Sequence, residues 1–234
     1  MRRFLGLLVG RAFIDRVPRD HIQTDEAFRR RRIVAAVTLV VGAALLGVSL
    51  SIRPGDALFY PMTLAVAATW VTGALLSGPL HLGHILFRDT LRRPVATPIL
   101  TGLLAGAVFV AGALVVREIP PLRAYTDDVL DHARYGSIAL ITVVTLANGA
   151  AEELFFRGAL FAAVGRTLPV AISTAVYAIV TVATGNPMLV FAAVLLGTVL
   201  GLQRRASGGV LAPILTHVTW STVMLFALPP LISN

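Results

Sequence analysis

Two adjacent carboxylates, Glu152 and Glu153, lie in a stretch that is otherwise apolar, and Arg157 follows shortly after them. An ionised side chain at the middle of a membrane costs about 2.5–3.5 kcal/mol on insertion scales, so such a cluster is a candidate functional site. Residues four apart on a helix share a face, which predicts an ion pair between Glu153 and Arg157. The same spacing places Asn148 beside Glu152, and the two carboxylates point about 100° apart.

The carboxylate without a predicted partner, Glu152, is the candidate for chemistry. Desolvation and the adjacent negative charge both favour its protonated form over its ionised form. A carboxyl group balanced in this way can act as a general base or acid near neutral pH. The competing interpretation is that all three charged residues lie at the membrane interface and only anchor the helix.

A second candidate, His217, lies within the last apolar run of the chain, four residues after Pro213 and four before Ser221. On a helix these three residues share a face. A lone histidine in an apolar helix more often bonds a backbone carbonyl or a hydroxyl group than a metal ion. Taken alone, His217 therefore does not define a site.

Taken together, these features resemble the CPBP family, the CAAX-protease and bacteriocin-processing (Abi) family of intramembrane proteases. The resemblance rests on Glu152-Glu153-x-x-x-Arg157, a following apolar run centred on an aromatic residue, and Gly-Gly-Val-Leu-Ala-Pro-Ile-Leu-Thr-His, which ends at His217. It implies an all-helical bundle with its site in a cavity open to the cytoplasm. There the first glutamate of the motif, here Glu152, activates a water molecule for hydrolysis of a peptide bond.

Two positions differ from the family's pattern. The F-x-x-x-H motif runs here from Tyr177 to Thr181, and the H-x-x-x-N motif runs from His217 to Ser221. The resemblance implies that these motif residues hold the water or polarise the carbonyl, and that Glu153 and Arg157 support the site. The predicted catalytic residues are Glu152, Glu153, Arg157, His217, Thr181 and Ser221. Asn148, which shares a helix face with Glu152, is a secondary candidate.

In the family, the motif histidines and asparagine orient the water, bind a metal ion or stabilise the oxyanion, so the resemblance leaves a metal ion open, with Zn²⁺ as the candidate and Glu152 and His217 as its ligands. Threonine and serine hydroxyl groups are poor Zn²⁺ ligands, so metal-free catalysis, substitution by another group and loss of hydrolysis all stay open. His81 and His84 would share a helical face and could complete a metal site. Contact with lipid headgroups is the commoner role for such histidines.

Composition places the chain among membrane proteins. Of its 234 residues, 56% are hydrophobic and only 14% are charged, whereas soluble domains carry about 25% charged residues. The absence of cysteine excludes disulfides, thiolate metal sites and a cysteine nucleophile. The net charge of +8 comes from arginines beside apolar runs, which indicates contact with membrane lipid and not with nucleic acid.

The apolar runs predict about seven transmembrane helices, in an all-α bundle with three segments. A basic cytoplasmic or interfacial segment covers residues 1–32, three transmembrane helices with their loops cover 33–134, and the CPBP-like core covers 135–234. Residues 117–135 and 203–208 are predicted to be loops. The predicted spans are about 33–52, 57–78, 95–116, 135–157, 168–184, 188–202 and 209–228.

The distribution of arginine predicts the orientation. With the N-terminus inside, sixteen of the twenty arginines lie on the inner side, namely nine in residues 1–32 and seven in later inner segments. We therefore predict a cytoplasmic N-terminus in the plasma membrane, with the two glutamates at the cytoplasmic end of the fourth span.

The leading hypothesis is an intramembrane endopeptidase that cleaves a peptide or membrane-protein substrate near the cytoplasmic face. The alternative is a catalytically degenerate family member that acts as a scaffold or chaperone for a membrane-protein partner. A third class, a solute or proton carrier that uses the glutamates as relay groups, is disfavoured because no internal repeat is evident.

Overall fold

The computed structural model describes residues 10–19, 21–87 and 90–232. Part of the predicted basic segment 1–32, including Arg2 and Arg3, and also Arg88 therefore lie outside the described residues. A short π-helical turn, Gly10–Ile14, precedes the bundle. The elements that follow are α1 (Asp25–Leu50), α2 (Phe59–Ser77), β1 (Ile85–Phe87), β2 (Thr90–Arg92), α3 (Ala96–Val116), α4 (Pro120–Arg134), α5 (Ile138–Val164), α6 (Pro169–Val182), α7 (Pro187–Ser207) and α8 (Leu211–Ile232).

The predicted all-α polytopic membrane bundle is confirmed. Within the described ranges, six helices are long and apolar enough to cross a membrane, and they are α1, α2, α3, α5, α7 and α8. The fifth predicted span is α6, which has 14 residues and is therefore only about 21 Å long. The two short strands pair as an antiparallel hairpin, with Ile85 opposite Arg92.

Several predicted boundaries are wrong because polar residues continue the helices. Thr24 caps α1 by accepting a hydrogen bond from the backbone N–H of Ala27, so the run of arginines that ends at Arg32 is helical. The predicted boundary at residue 32 thus falls inside α1. The predicted loop 203–208 is the last turn of α7, which Gly208 ends at φ 72°. At the C-terminus, α8 continues past residue 228 to Ile232 with both prolines inside it.

The predicted loop 117–135 is also wrong, because most of it forms the amphipathic helix α4. Proline at the first helical position suits the start of a helix, since its missing N–H has no partner there in any case. On the polar face, Arg134 pairs with Asp127 at 2.8 Å and with Asp131 at 2.9 Å. Spacings of three and seven residues bring these charges together on a helix, which explains why a charged segment is not a loop.

Contacts between distant segments define two ends of the bundle. At the Arg-rich end, which comprises residues 10–32, 78–95, 157–169 and 203–211, Val17 N–H donates to the carbonyl oxygen of Ala206. At the α4 end, which comprises residues 51–58, 117–137 and 183–187, the Asn186 side chain donates to the carbonyl oxygen of Tyr125 at 2.6 Å. Successive long helices therefore run in alternating directions between these two ends.

Glycines let the helices approach closely at specific points. A Cβ atom at Gly102 of α3 would lie 2.7 Å from the carbonyl oxygen of Thr216 in α8. At the Arg-rich end, a Cβ at Gly209 would overlap the backbone of Leu82 and Gly83. Close approach of this kind fixes the rotation of one helix against the next, and so it determines which side chains meet.

Candidate active site

The candidate site lies where α5 changes from α-helix to π-helix. Ile138–Glu153 is α-helical, Leu154–Leu160 is π-helical and Phe161–Val164 is α-helical again. π-helical turns inside α-helices are frequent at functional sites. Phe155 and Phe156 in this turn are fully buried, and their rings lie 4.8 Å and 5.1 Å from Trp70 of α2. This aromatic packing holds the turn against α2.

Glu153 connects two helices through one oxygen atom. Its Oε1 accepts a hydrogen bond from Arg157 at 2.9 Å and another from His217 Nδ1 at 2.9 Å. Glu153 and Arg157 are fully buried and form the predicted ion pair. Because a carboxylate can only accept, Nδ1 of His217 carries a proton. The second nitrogen, Nε2, is then available to contact a ligand, as in other carboxylate–histidine pairs.

Glu152, in contrast, bonds to a residue that sequence reasoning did not propose. The Tyr177 hydroxyl group donates to Glu152 Oε2 at 2.6 Å. The Arg157 guanidinium lies 4.8 Å above the Tyr177 ring. The sequence offers one sign of this contact. Tyr177 carries a hydroxyl group in an apolar helix, and a buried tyrosine hydroxyl usually has a hydrogen-bond partner.

Glu152 and His217 line one cavity of about 530 Å³. The cavity extends from these two residues to α4, whose apolar face lines its far part. Glu153 and Arg157 do not line it, so they hold the site from behind. Its wall is mainly apolar, and the polar residues that line it include Asn148, Tyr177, Thr181 and Ser221.

The three weaker sequence candidates also line this cavity, but two of them are engaged elsewhere. Thr181 donates its hydroxyl hydrogen to the carbonyl oxygen of Tyr177 at 2.9 Å. Asn148 donates to the carbonyl oxygens of Thr63 and Val144, which leaves only its Oδ1 acceptor for a ligand. Ser221 is buried and lies one helical turn after His217.

The comparison with known families covers this site. Residues 134–223 match the family model described as type II CAAX prenyl endopeptidase, Rce1-like. This part of the chain is Rce1-like. The match confirms the resemblance to the CAAX-protease family and contains all of the predicted catalytic residues, whereas α1 to α3 precede it. No curated protein and no solved structure matches the chain.

The donor atoms in the Rce1-like site do not fit a zinc ion. A catalytic zinc takes three protein ligands, and this cavity offers Glu152 and His217 Nε2. Among residues 10–19, 21–87 and 90–232, no group of three His, Asp or Glu side chains could hold a metal ion. His81 and His84 do not complete a set, because they lie in a non-helical segment at the Arg-rich end and do not line the cavity.

The position of the Rce1-like site within the bundle differs from the prediction. Glu152 lies about 21 Å along α5 from Ile138, and α5 continues beyond it to Val164, so the two glutamates are not at a helix end. The cavity extends away from the Arg-rich end. The arginine distribution predicts that the Arg-rich end is cytoplasmic, whereas the resemblance implies that the cavity opens to the cytoplasm. Because the cavity opens toward the opposite end, both predictions cannot hold for this bundle.

Proposed function

We propose that this protein is an intramembrane endopeptidase in which Glu152 activates a water molecule to hydrolyse a peptide bond. The observation that supports this proposal is that Glu152 and His217 share one cavity, while Glu153 bonds to His217 and Tyr177 bonds to Glu152. A general base and a polarising group must both reach the same reacting carbonyl. The match of residues 134–223 to a family model of CAAX endopeptidases agrees with that chemistry.

In the proposed reaction, the Glu152 carboxylate accepts a proton from the water as the water oxygen bonds to the carbonyl carbon. The developing oxyanion receives a hydrogen bond from His217, whose ring is oriented by the bond between Nδ1 and Glu153. Glu152 then returns the proton to the leaving nitrogen as the C–N bond breaks. Tyr177 orients the Glu152 carboxylate through its 2.6 Å hydrogen bond.

The cavity suits a membrane-bound substrate because it reaches the outer surface of the bundle between two helices that are apolar enough to cross a membrane. Val108 of α3, together with Phe191 and Leu195 of α7, lines the cavity and is also exposed on the outside of the bundle. The opening therefore lies between α3 and α7, beside α4. A peptide or membrane-protein substrate can approach Glu152 sideways from the bilayer without crossing a polar surface.

The decisive experiment is cleavage of a membrane-bound peptide reporter by purified protein in lipid. Glu152→Gln keeps the size of the side chain and removes its basicity, so the cleavage rate should fall about 10²- to 10⁴-fold while the folded fraction is unchanged. Glu118→Gln, an exposed change at the α4 end, is the matched control. Cleavage by Glu152→Gln at the wild-type rate would remove Glu152 from the mechanism.

A non-catalytic scaffold or chaperone is the second candidate. It is favoured by Thr181, which stands at the position of a motif histidine and donates its hydroxyl hydrogen to its own helix. In that case the wild-type protein cleaves no reporter, and affinity purification from membranes recovers a stoichiometric protein partner whose binding survives Glu152→Gln. Purification of the chain alone, together with cleavage of the reporter, would refute this candidate.

The face at which cleavage occurs depends on the orientation, for which we propose a cytoplasmic Arg-rich end in the plasma membrane. The chain has no cysteine, so single cysteines can be labelled without background. Tyr135 at the α4 end and Leu168 at the Arg-rich end are both 70% exposed. A membrane-impermeant maleimide should label Tyr135→Cys in intact cells and Leu168→Cys only after lysis. The reverse pattern would place the N-terminus outside and the cavity toward the cytoplasm.

A further inference from the structure

Three arginines from separate segments converge at the Arg-rich end, away from the cavity. They are Arg19, Arg31 near the start of α1, and Arg204 in the last turn of α7. Arg19 donates to the carbonyl oxygen of Arg205, the residue after Arg204, at 2.8 Å and lies beside Gly208, which ends α7. Arg19 and Arg31 are both close enough for their charges to act on Arg204. Arg31 is 4% exposed and Arg204 is 5% exposed. The ion pairs formed within the described part of the chain include none of these three arginines.

Neutral groups hold the arginines in place. Arg31 donates from Nε to the side chain of Gln23 at 3.2 Å and from one terminal nitrogen to the carbonyl oxygen of Pro79 at 3.1 Å. Its other terminal nitrogen is buried and has no hydrogen-bond partner. Arg204 donates from Nε to the carbonyl oxygen of Arg157 at 2.6 Å. Within the part of the chain that the structure describes, the guanidinium groups are thus oriented by neutral partners and form no ion pair.

A histidine pair lies beside these arginines. The rings of His21 and His81 stack with their centroids 3.8 Å apart. Burial, followed by the charges of Arg204 and Arg31, lowers the pKa of His81, so this histidine is neutral at pH 7. Among the described residues no carboxylate pairs with these arginines, and an excess of positive charge is costly for partly desolvated groups.

We propose that Arg19, Arg31 and Arg204, together with His81, bind a phosphate group. Three guanidinium groups from different segments suit an anion with several acceptor oxygens, and arginine matches phosphate geometry through its planar set of donors. The cluster lies at the Arg-rich end of the bundle, where α1 begins and α7 ends, and both helices are apolar enough to cross a membrane. A phosphate there would relieve the repulsion among the arginines and supply a partner for the buried Arg31 nitrogen. This site is separate from the proposed peptidase site, so its test does not depend on cleavage.

The experiment measures thermal unfolding of the full chain in a neutral detergent after removal of lipid. Four additions are compared at equal ionic strength: sodium chloride, inorganic phosphate, phosphatidylcholine as a zwitterionic lipid and phosphatidylglycerol as an anionic lipid. Native mass spectrometry of the same samples counts the bound lipid. The variants are Arg31→Gln and Arg19→Gln, of which the second changes an exposed side chain and should fold normally. Arg30→Gln, an exposed change one residue from Arg31, is the matched control.

We expect phosphatidylglycerol to raise the unfolding midpoint and to remain bound, and we expect both test variants to lose at least half of that rise. A rise with inorganic phosphate that is lost in the same variants identifies free phosphate as a sufficient ligand and also supports the site. A rise with phosphatidylglycerol alone identifies the lipid headgroup as the source. The proposal is overturned if neither phosphate compound acts beyond chloride, or if Arg19→Gln and Arg30→Gln respond alike.

Discussion

The shared carboxylate at the centre of the site makes a quantitative prediction. Glu153 and Arg157 are fully buried, and a terminal nitrogen of Arg157 lies 2.9 Å from Glu153 Oε1. His217 bonds to the same Glu153 oxygen. Removing one partner of a buried pair leaves an uncompensated buried charge and typically costs about 3–5 kcal/mol. We therefore expect Glu153→Gln and Arg157→Met each to lower the free energy of unfolding by about that amount. The Arg117–Glu118 pair has the same 2.9 Å distance but is exposed, so Glu118→Gln should change stability by less than about 0.5 kcal/mol.

The double variant Glu153→Gln/Arg157→Met distinguishes pairing from loss of packing. It leaves no unpaired charge between these two positions, so its cost should fall short of the sum of the single costs by about 1–3 kcal/mol. Equilibrium unfolding in mixed micelles with increasing sodium dodecyl sulfate, followed by tryptophan fluorescence, measures all of these quantities. Single costs near those of the exposed pair, or strictly additive costs, would refute the role of Glu153 as a shared buried partner.

Three further predictions concern Tyr177 in the candidate site, His81 at the Arg-rich end and Gly102 at the contact between α3 and α8. Tyr177→Phe should lower kcat for reporter cleavage about 10- to 100-fold with KM unchanged, because it removes only the hydrogen bond to the Glu152 carboxylate; an equal change in KM would contradict this. Burial and nearby arginines lower the pKa of His81, so the unfolded chain binds more protons below about pH 6.5 and stability should fall as the pH falls. His81→Gln should reduce that fall in the unfolding midpoint between about pH 7.5 and 5.5, and an unchanged pH profile would show that other groups cause it. Gly102→Ala should destabilise the protein by about 1–3 kcal/mol, because its Cβ would lie 2.7 Å from a backbone oxygen of α8. Gly112→Ala in the same helix, where a Cβ meets nothing within 4 Å, should be neutral or stabilising in the same mixed-micelle assay.

The membrane class and the helical architecture could be predicted from the sequence because both depend on local composition. Long apolar runs must satisfy their backbone hydrogen bonds internally in lipid, and a helix does so within one segment. The Glu153–Arg157 pair was predictable for the same reason, since both residues belong to one helix at a spacing of four. Helix ends were less predictable, because charged residues at the ends of α1 and α7 continue the helix.

The partners of the two glutamates could not be predicted from the sequence. The sequence predicts that His217 and Glu152 act in one site, but it does not predict their hydrogen-bond partners. Nδ1 of His217 bonds to Glu153, and Tyr177 bonds to Glu152. These contacts join helices that are far apart in the chain. Their relative rotation depends on the π-helical turn in α5 and on close glycine contacts, neither of which hydrophobic periodicity reveals.

The sequence by itself therefore determined that this is a helical membrane protein with an ion-paired glutamate motif of CAAX-protease type. Composition and spacing within single helices are sufficient for that conclusion. The tertiary structure alone decided which carboxylate lines the cavity and that the cavity extends away from the Arg-rich end. It also brought Arg19, Arg31 and Arg204 together without an acidic partner among the described residues. These outcomes depend on how helices pack against one another, and packing is set by side-chain shapes from segments that the sequence places far apart.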